Sequence, residues 1–189
     1  LHYHPLVIYR HQVLKQADVV LAMVLLDDVI SPAQKARNLA YYEPLTTHDS
    51  SLSACIHSIA CAELGQLEQA LTFFGDSARM DLDNQHGNTE HGVHIACMAG
   101  TWQALVFGFA GLRSRPDGLH FAPRLPAQLP GLSFRLNYRG RILEFSVQQG
   151  KAQYQLQQGE PLTIYHDGEA LQLIPQQPQQ RPLLAGEVL

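Results

Sequence analysis

The period of hydrophobicity changes once along this chain, close to Arg113, and that change limits what the chain can fold into. Before it, apolar residues recur at three- and four-residue spacing: Val13, Ala17, Val20, Leu21 and Val24 share one face of a helix read from Val13 to Asp27. After it, they alternate: Leu132, Phe134, Leu136 and Tyr138 in one run, then Phe145 and Val147 in the next. Turn signals at Arg115-Pro116-Asp117-Gly118, Arg139-Gly140 and Gln149-Gly150 punctuate the second half. The spacing predicts an α+β chain in two parts. Residues 1–113 are helical, 114–175 form a small antiparallel β-domain, and 176–189 are a Gln- and Pro-rich tail expected to be extended or mobile.

Several helix boundaries are written into the sequence. Ser31-Pro32 is a cap followed by proline at the first helical position. Tyr41-Tyr42-Glu43-Pro44 breaks that helix, and the polar run Leu45 to Ser53 leads into the next, capped by Asp49 or Ser50 and ending near Gly65. A helix from Leu67 to Phe74 and a short one from Asp76 to Leu82 follow. The long apolar helix runs from about Gly92 to Gly108, with Trp102 and Phe107 read as core residues.

Composition excludes several classes of function. A hydrophobic content of 46% argues against disorder, and a net charge of −4 gives no general attraction to nucleic acid or an anionic membrane. No apolar run is long enough to span a membrane. Cys55, Cys61 and Cys97 are odd in number, form no CxxC and lie in apolar helical surroundings, so they read as reduced thiols of a cytoplasmic protein. The chain starts without Met or a signal-peptide pattern and is read as part of a longer chain.

Three stretches carry residues suited to chemistry. His86-Gly87-Asn88-Thr89 is a polar, glycine-bearing turn read as standing where the long helix begins, where unpaired N–H groups favour an anion. The plain-turn reading stands beside it. Ser50 and Ser51 are adjacent hydroxyls at another helix start, which serves equally as a cap. Lys15-Gln16 sets a cation and an amide on a helix read as buried, so the lysine should face a polar cavity or a carboxylate such as Asp18. His86, His91, His94 and Glu90 have no standard zinc spacing, and no metal site is assigned.

Three blocks, YRHQVLKQADVVLAM (Tyr9–Met23), YYEPLTTHDSSLS (Tyr41–Ser53) with IHSI (Ile56–Ile59), and HGNTEHGVHIACMAGTW (His86–Trp102), resemble the disaccharide phosphorylases of glycoside hydrolase family 65. These act on maltose, kojibiose, trehalose or nigerose. The resemblance covers about residues 1 to 122. It implies the last helices of an (α/α)6 barrel followed by the family's sandwich-like C-terminal β-domain. It also implies inverting phosphorolysis, with inorganic phosphate as co-substrate, a glucosyl disaccharide as the other substrate, and no cofactor. Lys15 and Gln16 would bind glucosyl hydroxyls, and Ser50, Ser51, His86, Gly87 and Asn88 would bind phosphate. The family's general-acid glutamate falls upstream of Leu1, so this chain holds no catalytic residue of its own and needs the remainder of the enzyme. A homodimer is expected. Two rivals remain: a hydrolase of the same family, using water with Glu90 or Glu43 as base, and a non-catalytic carbohydrate-binding or assembly module.

Overall fold

The computed structural model describes residues 3–184. They fall into two compact units that divide between Ala104 and Leu105.

The first unit is helical. A short turn of helix, α1 (Pro5–Ile8), is followed by α2 (Asp18–Leu25), α3 (Pro32–Tyr42), α4 (Ser53–Glu63), α5 (Leu67–Arg79) and α6 (Ile95–Gln103). Ser31 caps α3 as its sequence position predicts, its Oγ accepting from the Gln34 N–H at 3.3 Å with Pro32 in the first turn. Helix α4 is the centre of the unit. Every residue from Ser53 to Ala62 is buried, and its Ser, Ala and Cys side chains are small enough to admit neighbours on all sides. Ser58 Oγ donates to the Ala70 carbonyl of α5 at 2.8 Å. Gly100 of α6 faces Cys55 so closely that a Cβ there would stand 2.4 Å from the thiol sulfur. Buried Lys35 of α3 pairs with Glu63 at the end of α4 at 2.5 Å.

The first helix departs from expectation. It begins at Asp18, not Val13, so Lys15 and Gln16 precede it and are exposed. The cause is a competing partner for the backbone. Leu14 donates its N–H to the Leu45 carbonyl and accepts from the Thr47 N–H, forming an isolated parallel bridge with Thr46. The predicted helices 67–74 and 76–82 are one continuous helix, α5. The long helix is shorter than its apolar pattern, because it starts at Ile95 and its backbone changes to a π-helical segment, Ala104–Phe109. Trp102 is exposed rather than core; with Ile95 and Met98 it lies on one exposed apolar face of α6, and Val93, just before the helix, is exposed too. The three cysteines are free and buried, as read, and burial pushes the Cys55 thiol up to about 11 and the Cys61 thiol up to about 12. No helix among the described residues is long and apolar enough to cross a membrane.

The second unit is a β-sandwich. Strands β1 (Arg113–Arg115), β2 (Gly118–Phe121), β3 (Gly131–Tyr138), β4 (Arg141–Gln148), β5 (Lys151–Gln158), β6 (Leu162–His166), β7 (Glu169–Leu173) and β8 (Gln179–Pro182) form two four-stranded sheets. One has the order β1-β2-β6-β7 and the other β3-β4-β5-β8. All pairings are antiparallel except β2 with β6, because the chain leaves the first sheet after β2, builds three strands of the second, and returns. The alternation seen in the sequence puts Leu143, Phe145 and Val147 of β4 beside Leu156, Tyr154 and Ala152 of β5 on one inner face. Phe121 of the other sheet packs against both, 5.1 Å from the Phe145 ring and 5.1 Å from the Tyr154 ring. Two strands lie outside the expected set. Arg113–Arg115 pairs with β2 across the predicted Pro116-Asp117 turn, and Gln179–Pro182, inside the stretch read as tail, pairs with β5. Residues 185–189 of that tail lie outside the described residues.

Candidate active-site face

The geometry of the site starts from α4. Helices α4 and α5 run antiparallel, as the His57–Phe73 and Ser58–Ala70 contacts require. Helices α5 and α6 are also antiparallel, through Ser77 with Thr101 and Asp81 with His94. Loops 46–52 and 80–94 therefore emerge at one end of these three helices. The bridge from Leu14 to Thr46 ties the Lys15-Gln16 segment to the first of those loops. Thus all three sequence blocks contribute to one end of the helical unit.

The serine loop is built by short-range bonds. Thr47 Oγ1 donates to Asp49 Oδ2 at 2.8 Å, Ser50 Oγ accepts from the Leu52 N–H at 3.3 Å, and the Ser53 N–H reaches the Ser50 carbonyl at 3.0 Å. Ser50 thus does act within the helix-entry turn, while the helix cap proper is Leu52, without a side-chain bond. Ser50 and Ser51 are half-buried. Among the described residues the N–H groups of Asp49, Ser50 and Ser51 donate to no protein group. Three successive N–H groups and two hydroxyls ahead of a helix are donors of the kind an anion needs.

Lys15 and Gln16 sit differently from expectation. Both are exposed, and Gln16 Nε2 donates to Asp18 Oδ2 at 3.2 Å, so it is the amide and not the lysine that engages Asp18. Among the described residues Lys15 makes no ion pair. An exposed ammonium on a short backbone bridge can swing toward an anion or a sugar hydroxyl without the desolvation cost that a buried lysine carries.

The His86 turn is not at the helix start. Six residues lie between Asn88 and Ile95, and they hold a 3-10 turn, Thr89–His91. The entry to α6 is instead occupied by Asp81, whose Oδ2 accepts the His94 N–H at 2.9 Å and whose Oδ1 lies 2.6 Å from His94 Nδ1. These bonds hold the Asp81 carboxyl below its usual range. Within the turn, the Gly87 N–H is given to the Asn84 carbonyl at 2.9 Å and the Thr89 N–H to Asn84 Oδ1 at 3.1 Å. His86 and Gly87 are exposed and Asn88 is half-buried. What remains for a ligand is the His86 imidazole and the Asn88 amide rather than a fan of free N–H groups.

The remaining carboxylates and histidines are placed as follows. Glu90 and His91 are exposed surface neighbours, 3.7 Å apart. Glu43 opens the 3-10 turn Glu43–Leu45 that leads toward the serine loop. Among the described residues no three His, Cys, Asp or Glu side chains are grouped to hold a metal ion.

One constellation lay outside the sequence reading. The rings of His48, His57 and Phe73 form a closed trio, with centroid separations of 4.6 Å (His48–His57), 5.3 Å (His48–Phe73) and 5.3 Å (His57–Phe73). His57 is fully buried, and its Nδ1 lies 3.0 Å from the Ser53 carbonyl, so Nδ1 carries the proton. The available signal was a histidine at i+4 from Ser53 inside an otherwise apolar helix. Burial pushes His57 down to about 4, with a further lowering from His48, against the raising effect of the Ser53 carbonyl. Burial also lowers His48, partly offset by Glu43 and Asp76.

A depressed histidine pKa has a defined sign in stability. The unfolded imidazole takes up a proton below about 6.5 while the folded His57 stays neutral to about 4, so stability is full above pH 6.5 and falls between 6.5 and 4. The loss reaches about 3 kcal/mol for a shift of this size. Urea unfolding at pH 7.5, 5.5 and 4.5 should show this fall in the natural chain, and a shallower one in His57→Gln. Equal slopes in both would contradict the assignment.

The class that the fold defines is a helical unit followed in the chain by an eight-stranded β-sandwich, with donors from three sequence blocks at one end of the helices. The chain belongs to glycosyl hydrolase family 65: residues 1–103 match the family's central catalytic domain and residues 112–173 match its C-terminal domain. It is 48% identical over 178 residues to the alpha,alpha-trehalose phosphorylase of Geobacillus stearothermophilus, covering 94% of this chain and 23% of that protein. It is 42% identical over 167 residues to the maltose phosphorylase of Bacillus subtilis strain 168, covering 87% of this chain and 22% of that protein. A solved structure described as a candidate kojibiose phosphorylase from the human microbiome superposes with a TM-score of 0.92 at 31% identity, covering all of this chain and 28% of that one. The chain thus spans about a quarter of the length of these relatives.

Proposed function

We propose that this chain is the closing part of an inverting disaccharide phosphorolysis site, which cleaves a glucosyl disaccharide with inorganic phosphate to glucose 1-phosphate and glucose. The observation that carries the reading is the serine loop of a family 65 chain: two hydroxyls and three unengaged N–H groups ahead of α4. Phosphate is itself a nucleophile and needs no base, so the protein's task is to hold a dianion in line with the anomeric carbon. Ser50, Ser51, His86 and Asn88 supply donors for it, and Gly87 leaves open space beside them. Lys15 and Gln16 bind hydroxyls of the glucosyl unit. The proton for the leaving sugar oxygen comes from an acid outside this chain. The reaction uses no cofactor, and the working unit is the whole enzyme, as a homodimer.

The curated relatives named above support phosphorolysis over hydrolysis, because they are trehalose and maltose phosphorylases. The experiment is to incubate the full-length protein with maltose, kojibiose, trehalose and nigerose, with and without phosphate, and to follow glucose and glucose 1-phosphate. Phosphate-dependent glucose 1-phosphate on one of these is the expected result and names the linkage. Equal glucose release without phosphate would turn the reading to a hydrolase.

A further inference from the structure

His48 immediately precedes the serine loop and has φ +55°, in the left-handed region that is uncommon for a residue with a side chain. Here the chain turns from the Thr46 and Thr47 backbone bonds into Asp49-Ser50-Ser51. Its ring is wedged against His57 of α4 and Phe73 of α5, the two helices that frame the loop. Both ring nitrogens of His48 are buried and, among the described residues, make no hydrogen bond. The ring is therefore not held by polar partners. Its place is set by packing against two fixed rings, and that packing is what keeps the backbone in its unusual conformation.

We propose that His48 is a positioning residue: its ring, seated between His57 and Phe73, fixes the direction in which the serine loop presents its N–H groups and hydroxyls to phosphate. The inference rests on the phosphorolysis reading above and adds to it a residue that would touch no substrate. It makes a split prediction. Phosphate binding depends on the seat, whereas sugar binding by Lys15 and Gln16 depends on the Leu14 bridge and should not.

The test uses the full-length protein. Glycine and asparagine both tolerate positive φ but cannot fill the ring seat, so His48→Gly and His48→Asn remove the anchor without adding strain. Each should raise KM for phosphate about tenfold or more while KM for the disaccharide stays within about twofold. His48→Phe, which refills the seat without nitrogens, should recover most of the loss in phosphate KM. Equal shifts in both KM values, or none, would overturn the positioning role. If the His48 variants are not recovered folded, Phe73→Leu, on the opposite side of the seat, decides by the same split. A natural enzyme with no phosphate dependence would overturn this inference together with the phosphorolysis reading. A phosphate-dependent natural enzyme without the split would overturn this inference alone.

Discussion

Replacing Ser50 and Ser51 together by alanine in the full-length protein should raise KM for phosphate on the order of 100-fold and leave KM for the disaccharide nearly unchanged. Each hydroxyl bonded to a phosphate oxygen contributes roughly 1.5–3 kcal/mol, and two such losses, counted at the low end because they share one ligand, give that factor. The structural role of the pair is smaller. Only Ser50 bonds within the loop, to the Leu52 N–H at 3.3 Å, and the loop keeps its Thr47–Asp49 bond and the Ser53 N–H bond to the Ser50 carbonyl in the variant. Ser50→Ala should therefore fold. Unchanged phosphate dependence, measured by initial rates of glucose 1-phosphate formation over a range of phosphate concentrations, would remove the serines from the site.

Gly111→Ala should cost the β-sandwich unit about 3–5 kcal/mol, a large part of what holds a domain of this size together. Two effects add. Gly111 has φ +61°, which costs an alanine about 1–2 kcal/mol. The new Cβ would also stand 2.2 Å from the Ala122 carbonyl oxygen and 2.6 Å from its carbon, both backbone atoms that cannot rotate away. That segment is held in place, because the Ala122 N–H bonds the Gly111 carbonyl at 3.3 Å and the Arg124 N–H bonds the Phe109 carbonyl at 2.8 Å. Gly140 is the control. It has φ +75° with nothing within 4 Å of a built Cβ, so Gly140→Ala should cost only the conformational part, about 1 kcal/mol. Denaturant unfolding of the two variants separates strain from collision, and equal losses would contradict the close approach at Gly111.

The division into helices and strands was legible because hydrophobic period is a local property. The run from Leu132 to Val147 becomes β3 and β4, with alternate residues on the inner face. What was not legible depended on partners distant in sequence. Val13 to Gln16 has helical spacing, yet Leu14 is captured by Leu45 and Thr47, far along the chain, and the helix starts later. The turn at His86 looked like a helix entry because apolar residues follow it, but Asp81, upstream of the turn, takes that entry through His94. Strand β8 is composed of Gln, Arg and Pro, and only its pairing with β5 makes it a strand. The serine loop could be singled out as a candidate from its residues alone, whereas the His48 seat needed three rings from three segments to be brought together. The apolar face of Ile95, Met98 and Trp102 was likewise hidden, because a sequence pattern cannot distinguish a buried face from an exposed one.

What attacks the anomeric carbon separates phosphorolysis from hydrolysis. Phosphorus NMR of the full-length protein acting on its α-linked disaccharide in phosphate buffer reads the nucleophile and the stereochemistry together. β-Glucose 1-phosphate should appear in step with free glucose, as expected if phosphate bound at the proposed serine-loop site attacks the face opposite the departing sugar. Glucose without any phosphate ester, or the α-anomer of glucose 1-phosphate, would contradict inverting phosphorolysis.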